Sequence, residues 1–164
     1  MTPRANSLTD RAVSPEETIW ASTAVAQFDF YGFRIEVSGS REDAVHEVLR
    51  DFAWFESKDA DSRAAREPDM RIRMHFRDPL YSNLPPVPAN IVTPRNVSFR
   101  DGSISYVDYF GRGLAVVDDE RKTCEIYAAD FDLIREIAYL FMLSSVGQYL
   151  DARRLHRIHA MGVN

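Results

Sequence analysis

Residues 70–77 constrain the fold more than any other stretch, because apolar and basic side chains alternate there without a break (Met-Arg-Ile-Arg-Met-His-Phe-Arg). Successive side chains of a β-strand point to opposite faces, so this alternation predicts a strand. Its inner face would carry Met70, Ile72, Met74 and Phe76. Its outer face would carry Arg71, Arg73, His75 and Arg77. The pattern therefore predicts a sheet with one buried face, on which other helices or strands must pack.

Six more strands are predicted from alternating or short apolar runs bounded by turn residues. A hairpin turns at Tyr31-Gly32, and a four-strand meander covers 96–100, 104–109, 113–118 and 123–128. Asp101-Gly102 is a typical hairpin turn. Between the strand at 70–77 and the meander, residues 79–90 contain four prolines. This composition predicts a long loop without regular structure, and loops of that length are usually functional or mobile.

Two helices complete the predicted layer. Ser40 is expected to start the first, with Asp43 completing an approximate capping box. Apolar residues then recur at helical spacing, at Ala44, Val45, Val48, Leu49, Phe52 and Phe55. Asp130 is expected to cap a longer helix over 131–150. The predicted fold is an α+β domain: a mainly antiparallel sheet of five to seven strands with two helices on one face.

Composition and termini define the predicted domain and its compartment. Residues 1–18 are polar and without period, which predicts a disordered N-terminal arm, and residues 19–164 are expected to form a single α+β domain. The net charge of −5 argues against a general nucleic-acid binder. One cysteine excludes an internal disulfide, and no apolar run approaches the roughly twenty residues of a membrane span. A cytoplasmic protein without nucleic-acid or membrane partners is expected.

The outward arginines Arg71, Arg73 and Arg77 are the strongest charge feature. They indicate a site for an anionic small molecule or an acidic peptide. The alternative is that carboxylates on neighbouring strands, such as Asp108 or Glu125, pair with them and leave an ordinary solvated face. The sequence favours this second interpretation.

Other candidate residues have plainer alternatives. His156 with His159, and the acids Asp118, Asp119 and Glu120 with Asp108, lack the full ligand set of a metal site, so no metal is predicted. Cys124, Ser144 and Ser145 have no neighbouring base and are expected to be packing residues. An aromatic group could line a ligand pocket or simply pair across strands; its members are Tyr106, Tyr109, Phe110 and Tyr127. No catalytic residue is predicted.

The last residues are expected to open an apolar strand over 155–164. Leu155, His159 and Ala160 resemble the segment that leads into the phosphate-binding loop of the HPr kinase/phosphorylase-like ATPases, relatives of phosphoenolpyruvate carboxykinase. The chain contains no G-x-x-x-x-G-K-[ST], so the family's nucleotide chemistry is carried over to no residue. ATP and Mg are expected only with a C-terminal core, for which 155–164 would be the entry strand.

The resemblance therefore implies a non-catalytic N-terminal accessory or docking domain of an ATP-dependent serine kinase. Such a kinase would act on a protein or peptide hydroxyl, and self-association of the domain is expected. The alternative function is a free-standing α+β module that binds an anionic small molecule or acidic peptide through Arg71, Arg73 and Arg77.

Overall fold

The computed structural model describes residues 24–57 and 66–155, which form an eight-stranded sheet and two α-helices. In chain order the elements are β1 Ala24–Phe30, β2 Phe33–Gly39, α1 Glu42–Asp51, β3 Met70–His75, β4 Ala89–Val92, β5 Val97–Asp101, β6 Ile104–Asp108, β7 Gly113–Asp118, β8 Thr123–Ala128 and α2 Phe131–Ala152. Short 3-10 turns occupy Ala53–Phe55 and Tyr81–Asn83.

The strand order is β1-β2-β3-β8-β7-β6-β5-β4. The α+β class is confirmed, but the predicted strand number is too low and the sheet is mixed: five of its pairings are antiparallel and two are parallel. Its centre is parallel, because β3 pairs in parallel with β2 on one side and with β8 on the other. Parallel neighbours need a long crossover connection. The chain provides α1 for the first crossover and the whole β4–β7 meander for the second.

Both helices pack on one face of the sheet. The core between the layers is apolar, and its largest fully buried side chains include Phe28, Ile35, Ile72, Met74, Ile126, Ile134, Ile137 and Met142. These residues come from β1, β2, β3, β8 and α2, so the helices cover the part of the sheet from its β1 edge to β8. The predicted alternation of buried and more exposed side chains is confirmed from Met70 to Met74, whereas His75, predicted to be outward, is buried.

The helix starts differ from one another in how well the sequence predicts them. Asp130 caps α2 as expected, because its side chain accepts a hydrogen bond from the backbone N–H of Leu133. The capping box predicted at Ser40 is wrong: α1 begins at Glu42, its N-cap is Arg41, and no side chain caps it. The Asp43 carboxylate pairs with Arg41 instead of reaching back to a cap.

The region predicted to be without regular structure contains β4 at its end. All four residues of β4 are exposed, and its pairing with β5 is irregular between Ala89 and Ile91. Short length, preceding prolines and a bulge are common properties of edge strands, which blunt unwanted pairing. Periodicity could not reveal β4, because a four-residue exposed edge strand has no buried face.

Several predictions lie outside the described residues. The arm at 1–18 and most of the expected strand at 155–164, including His156, His159 and Ala160, belong to the parts of the chain that the structure does not describe. Leu155 is described: it follows α2 and is 51% exposed.

Gly113 fixes the distance between α2 and the sheet. A Cβ atom placed there would lie 3.1 Å from Leu133 Cδ2 and 3.2 Å from Ile137 Cδ1. We expect Gly113→Val to lower the free energy of unfolding by about 1–3 kcal/mol, because its methyl groups would overpack this contact. Urea unfolding measures the change, with Ala129→Val at an exposed position as the control, expected within about 0.5 kcal/mol. Equal effects of the two substitutions would contradict the close packing of α2 on β7.

Candidate functional site

The face of the sheet opposite the helices carries the polar residues singled out in the sequence, and we call it the open face. Strand register places side chains across it in rows. One row contains Arg73 on β3, Glu125 on β8, Val116 on β7 and Tyr106 on β6. In this row the positions on β3 and β8 are charged and those on β7 and β6 are apolar, although the neighbouring rows also carry Asp118 and Asp108 on β7 and β6. We call these two parts the charged half and the apolar half of the open face.

The charged half is centred on Glu125. One carboxylate oxygen accepts a hydrogen bond from Arg73 Nη1 at 2.7 Å, and the other lies 2.6 Å from His75 Nε2. The His75 ring is buried and stacks on Tyr127, with 4.5 Å between ring centroids. We call Arg73, His75, Glu125 and Tyr127 the Glu125 cluster. Its acid and its two basic groups compensate one another.

The pKa of Glu125 reports this compensation. Burial pushes the pKa upward, but the hydrogen bond and charge of His75 together with Arg73 more than offset burial, so the pKa lies below its ordinary range. The carboxylate is therefore ionised near neutral pH and holds both basic side chains. A carboxylate held in this state is a structural anchor and a poor general base.

The three predicted anion-binding arginines have different partners. Arg71 lies 2.9 Å from a Glu67 carboxylate oxygen and 3.8 Å from one of Glu36. Arg73 is bound by Glu125. Arg77 is exposed and lies over the Tyr127 ring, 5.2 Å from its centroid, and no carboxylate of residues 24–57 or 66–155 is within ion-pair distance of it. The ion-paired interpretation therefore describes Arg71 and Arg73, and Arg77 is the exception.

The apolar half of the open face lies on β5, β6 and β7. Phe99 and Tyr106 stack there with ring centroids 5.3 Å apart, and Val116 is the neighbour of Tyr106. Leu114, on the same face, is only 3% exposed although no helix covers this side. Something other than the helices buries Leu114.

The proline-rich connection between β3 and β4, residues 78–88, which we call the strap, reaches this face of the sheet through Tyr81. The Tyr81 hydroxyl donates a hydrogen bond to Asp108 Oδ1 at 2.7 Å and lies 3.4 Å from the Gly113 carbonyl oxygen. Asp108 is the cross-strand partner of Leu114, so Tyr81 places the strap over the open face. Burial and the bond to Asp108 both raise the pKa of Tyr81, so its hydroxyl stays protonated and remains a donor.

Asp108 therefore binds Tyr81 and not an arginine, whereas the expected pairing of an arginine with Glu125 is confirmed. Sequence reasoning missed Tyr81 and the burial of His75. The available signals were weak: a tyrosine inside a proline-rich loop, and a histidine in the middle of an outward row of arginines.

The predicted aromatic group is divided by the sheet. Tyr109 is buried in the core on the helix side, Phe110 is an exposed turn residue with a positive φ of 53°, and Tyr106 and Tyr127 lie on the open face. These four side chains do not converge on one pocket. A small, partly open crevice elsewhere, beside Gln27 and Arg34, has a volume of about 10 Å³, room for one water molecule.

The remaining candidates occupy structural positions. Asp118 accepts hydrogen bonds from the backbone N–H groups of Glu120 and Arg121, which forms the β7–β8 turn. Asp119 pairs with Arg100. Within the described ranges no three His, Cys, Asp or Glu side chains are grouped as metal ligands. Cys124 is fully buried, and burial raises the pKa of its thiol. The hydroxyl of Ser145 contacts the Met70 sulfur, and Ser144 is exposed.

Comparison with known proteins finds no matching family model, no matching curated protein and no matching solved structure. Neither α1 nor α2 has the combination of length and apolarity that a membrane-crossing helix needs, as far as the described residues extend.

The Glu125 cluster makes stability depend on pH. Because the folded state lowers the pKa of Glu125, its contribution is complete above the unfolded value of about 4.3 and is lost as the pH falls through the lower folded value. We expect Glu125→Gln to lower the free energy of unfolding by about 1–3 kcal/mol at pH 7, and by less at pH 3. Urea unfolding at both pH values measures the difference.

The matched control is Glu67→Gln, because Glu67 pairs with Arg71 at the surface and its side chain is 86% exposed. Its effect should stay below about 1 kcal/mol. A loss for Glu125→Gln that is the same at pH 3 and pH 7 would show that packing, and not the ionised carboxylate, stabilises the cluster.

Proposed function

We propose that this chain is a non-catalytic N-terminal accessory domain of an HPr kinase/phosphorylase-like ATPase, and that the open face is its protein contact surface. The ion pairing of charged side chains on the open face supports this role. Arg73 and His75 share Glu125, and Arg71 is paired with acids, so these groups are committed to structure. A surface of this kind supports docking, where shape and apolar area matter more than a reactive side chain.

The kinase parentage rests on the sequence resemblance. Leu155, His159 and Ala160 match the family segment that precedes the phosphate-binding loop. The fold is compatible with this assignment, because α2 ends at Ala152, three residues before Leu155. The chain thus passes directly from the last layer of this domain into the family-like segment. ATP and Mg belong to the proposed core and not to this domain.

Mass spectrometry of the native protein, captured from its source cells with an antibody against this chain, tests the parentage. We expect a species well above 18.8 kDa that yields a peptide containing Gly-Lys-Ser or Gly-Lys-Thr. A native species of 18.8 kDa, the mass of this chain, would contradict the accessory-domain proposal.

Arg77 favours a second candidate function, a module that binds an acidic peptide. It is the arginine of the predicted group that has no carboxylate partner in the described ranges, and Tyr127 supports its guanidinium from below. Arg71 and Arg73 would contribute little positive charge to such a site. Arg71 is paired with Glu67 and Glu36, and Arg73 is paired with Glu125.

A fluorescence-polarisation titration with a labelled glutamate-rich peptide tests this second function. We expect Arg77→Gln to weaken binding about fivefold or more with only a small change in melting temperature, because the exposed Arg77 side chain contacts Tyr127 and forms no ion pair within the described residues. Arg121→Gln, an exposed arginine on the β7–β8 turn, is the control and should bind like the unaltered chain. Equal affinities of the two variants would remove Arg77 as a binding residue.

A further inference from the structure

Large aromatic side chains gather at the end of the domain where the β1–β2 turn meets the last turns of α2. Trp54 is 93% exposed and Tyr31 is 71% exposed. The Tyr31 ring contacts Phe55, with 5.7 Å between ring centroids, and Trp54 precedes Phe55 in the same 3-10 turn. Phe33 stacks on Tyr149 at 4.8 Å beside the β1–β2 turn. We call Tyr31, Phe33, Trp54, Phe55 and Tyr149 the aromatic surface.

Tyr31 occupies a backbone position that disfavours a large side chain. It forms the two-residue turn between β1 and β2 with Gly32, and both residues have a positive φ, 57° and 93°. Turns of this kind favour Asn-Gly, because asparagine adopts the left-handed conformation more readily than a bulky residue does. Most of the Tyr31 ring is in solvent, so packing within the domain does not account for the choice of tyrosine. A disfavoured backbone conformation that presents an exposed ring favours a role for that ring in binding.

Two side chains hold the turn in place beneath the Tyr31 ring. The Gly32 N–H donates a hydrogen bond to Asp29 Oδ1 at 2.6 Å, and the Tyr149 hydroxyl donates one to the Tyr31 carbonyl oxygen at 3.1 Å. A Cβ atom at Gly32 would lie 3.2 Å from the same Tyr149 hydroxyl, so the turn packs closely on α2. The ring is therefore presented by backbone that is already ordered, which lowers the entropy lost when a partner covers it.

The charges around the aromatic surface make it complementary to a copy of itself. Asp29, at the base of the turn, lies 3.5 Å from Arg34, so its charge is balanced locally and would not repel the same residue of a second molecule. Arg153 is exposed and packs over the Tyr149 ring, 3.6 Å from its centroid. Guanidinium groups bind the faces of aromatic rings. A surface that carries both groups can therefore supply both sides of one contact.

The exposed area is sufficient for association of two copies. At their exposures Trp54 and Tyr31 together present roughly 300–400 Å², since a large aromatic side chain has about 150–250 Å² to bury. The half-buried rings of Phe33, Phe55 and Tyr149 add to this. Two copies would then bury on the order of 1,000 Å² in total, which is the lower limit for a specific interface. Aromatic residues are also enriched at such interfaces.

We infer that two copies of this chain associate through the aromatic surface, in a twofold contact where each copy covers Tyr31 and Trp54 of the other. A twofold contact uses the same surface on both molecules, and it is the commonest arrangement of protein oligomers. The contact involves neither the Glu125 cluster nor Arg77. It therefore goes beyond the accessory-domain proposal and does not depend on it.

Sedimentation velocity of the full chain at increasing concentration tests the inference. We expect a monomer–dimer equilibrium with a Kd in the micromolar range, as is usual for interfaces of small area. Tyr31→Asn and Trp54→Ser should each raise this Kd about tenfold or more, because each substitution removes a central aromatic side chain from both copies. Asparagine suits the turn, so Tyr31→Asn should melt no lower than the unaltered chain at a concentration where both are monomeric.

The matched control is Phe110→Asn. Phe110 also precedes a turn glycine, has a positive φ of 53° and is 55% exposed, but it lies between β6 and β7 at the opposite end of the sheet. This variant should dimerise like the unaltered chain. Ile158→Asp, in the sequence that follows Leu155, should also leave the Kd unchanged, because the proposed contact does not use that segment.

A chain that stays monomeric at every concentration would overturn the inference. Dimers that form as tightly in Tyr31→Asn and Trp54→Ser as in Phe110→Asn would also overturn it. Loss of dimers in Ile158→Asp alone would assign the association to the last residues of the chain and not to the aromatic surface. Each of these results is measured on the purified chain, so failure here is distinguishable from failure of the accessory-domain proposal, which depends on the mass of the native protein.

Discussion

The width of the sheet is the constraint on which the rest of the structure depends. Eight strands at about 4.8 Å span more than 30 Å, whereas two helices of about 10 Å diameter cover about half of that width. The helices lie on β1, β2, β3, β8 and β7, which are neighbours in the sheet, and the core beneath them contains Ile72, Ile126 and Ile134. On the opposite face, where no helix lies, Leu114 of β7 is also buried, at 3% exposure. One chain therefore has two apolar surfaces on opposite faces of one sheet.

The parallel pairing of β3 and β8 determines the electrostatics of the open face. It sets Arg73 directly opposite Glu125 and His75 directly opposite Tyr127, although about fifty residues separate each pair along the chain. A row of arginines that looks like an anion site in the sequence thereby becomes a row of ion pairs. Arg77 lies two residues beyond the end of β3, outside the register that brings Arg73 opposite Glu125. This position explains why Arg77 forms no ion pair with a carboxylate of the described residues.

Patterns among residues close in sequence predicted the strands and helices, whereas the pairing of distant strands determined which side chains meet on the open face. Alternation identified β3, and the Asp130 cap with helical spacing identified α2, because both patterns depend on residues close in sequence. The mixed topology was not predictable, since no single strand carries a mark of the partner to which it pairs. The Tyr81–Asp108 bond joins a loop to a strand 27 residues away, so sequence periodicity holds no trace of it. The sequence could suggest Asp108 and Glu125 as partners of the arginines, but it could not decide between them, because the choice depends on which strands are neighbours.

The two halves of the open face imply two kinds of binding with different dependence on salt. A contact made through Arg77 is an exposed charge interaction, which weakens as ionic strength shortens the Debye length. A contact made through Phe99, Tyr106 and Val116 buries apolar area and changes little with ionic strength. Weak salt dependence of partner binding would therefore indicate a contact through these apolar side chains, and strong salt dependence a contact through Arg77.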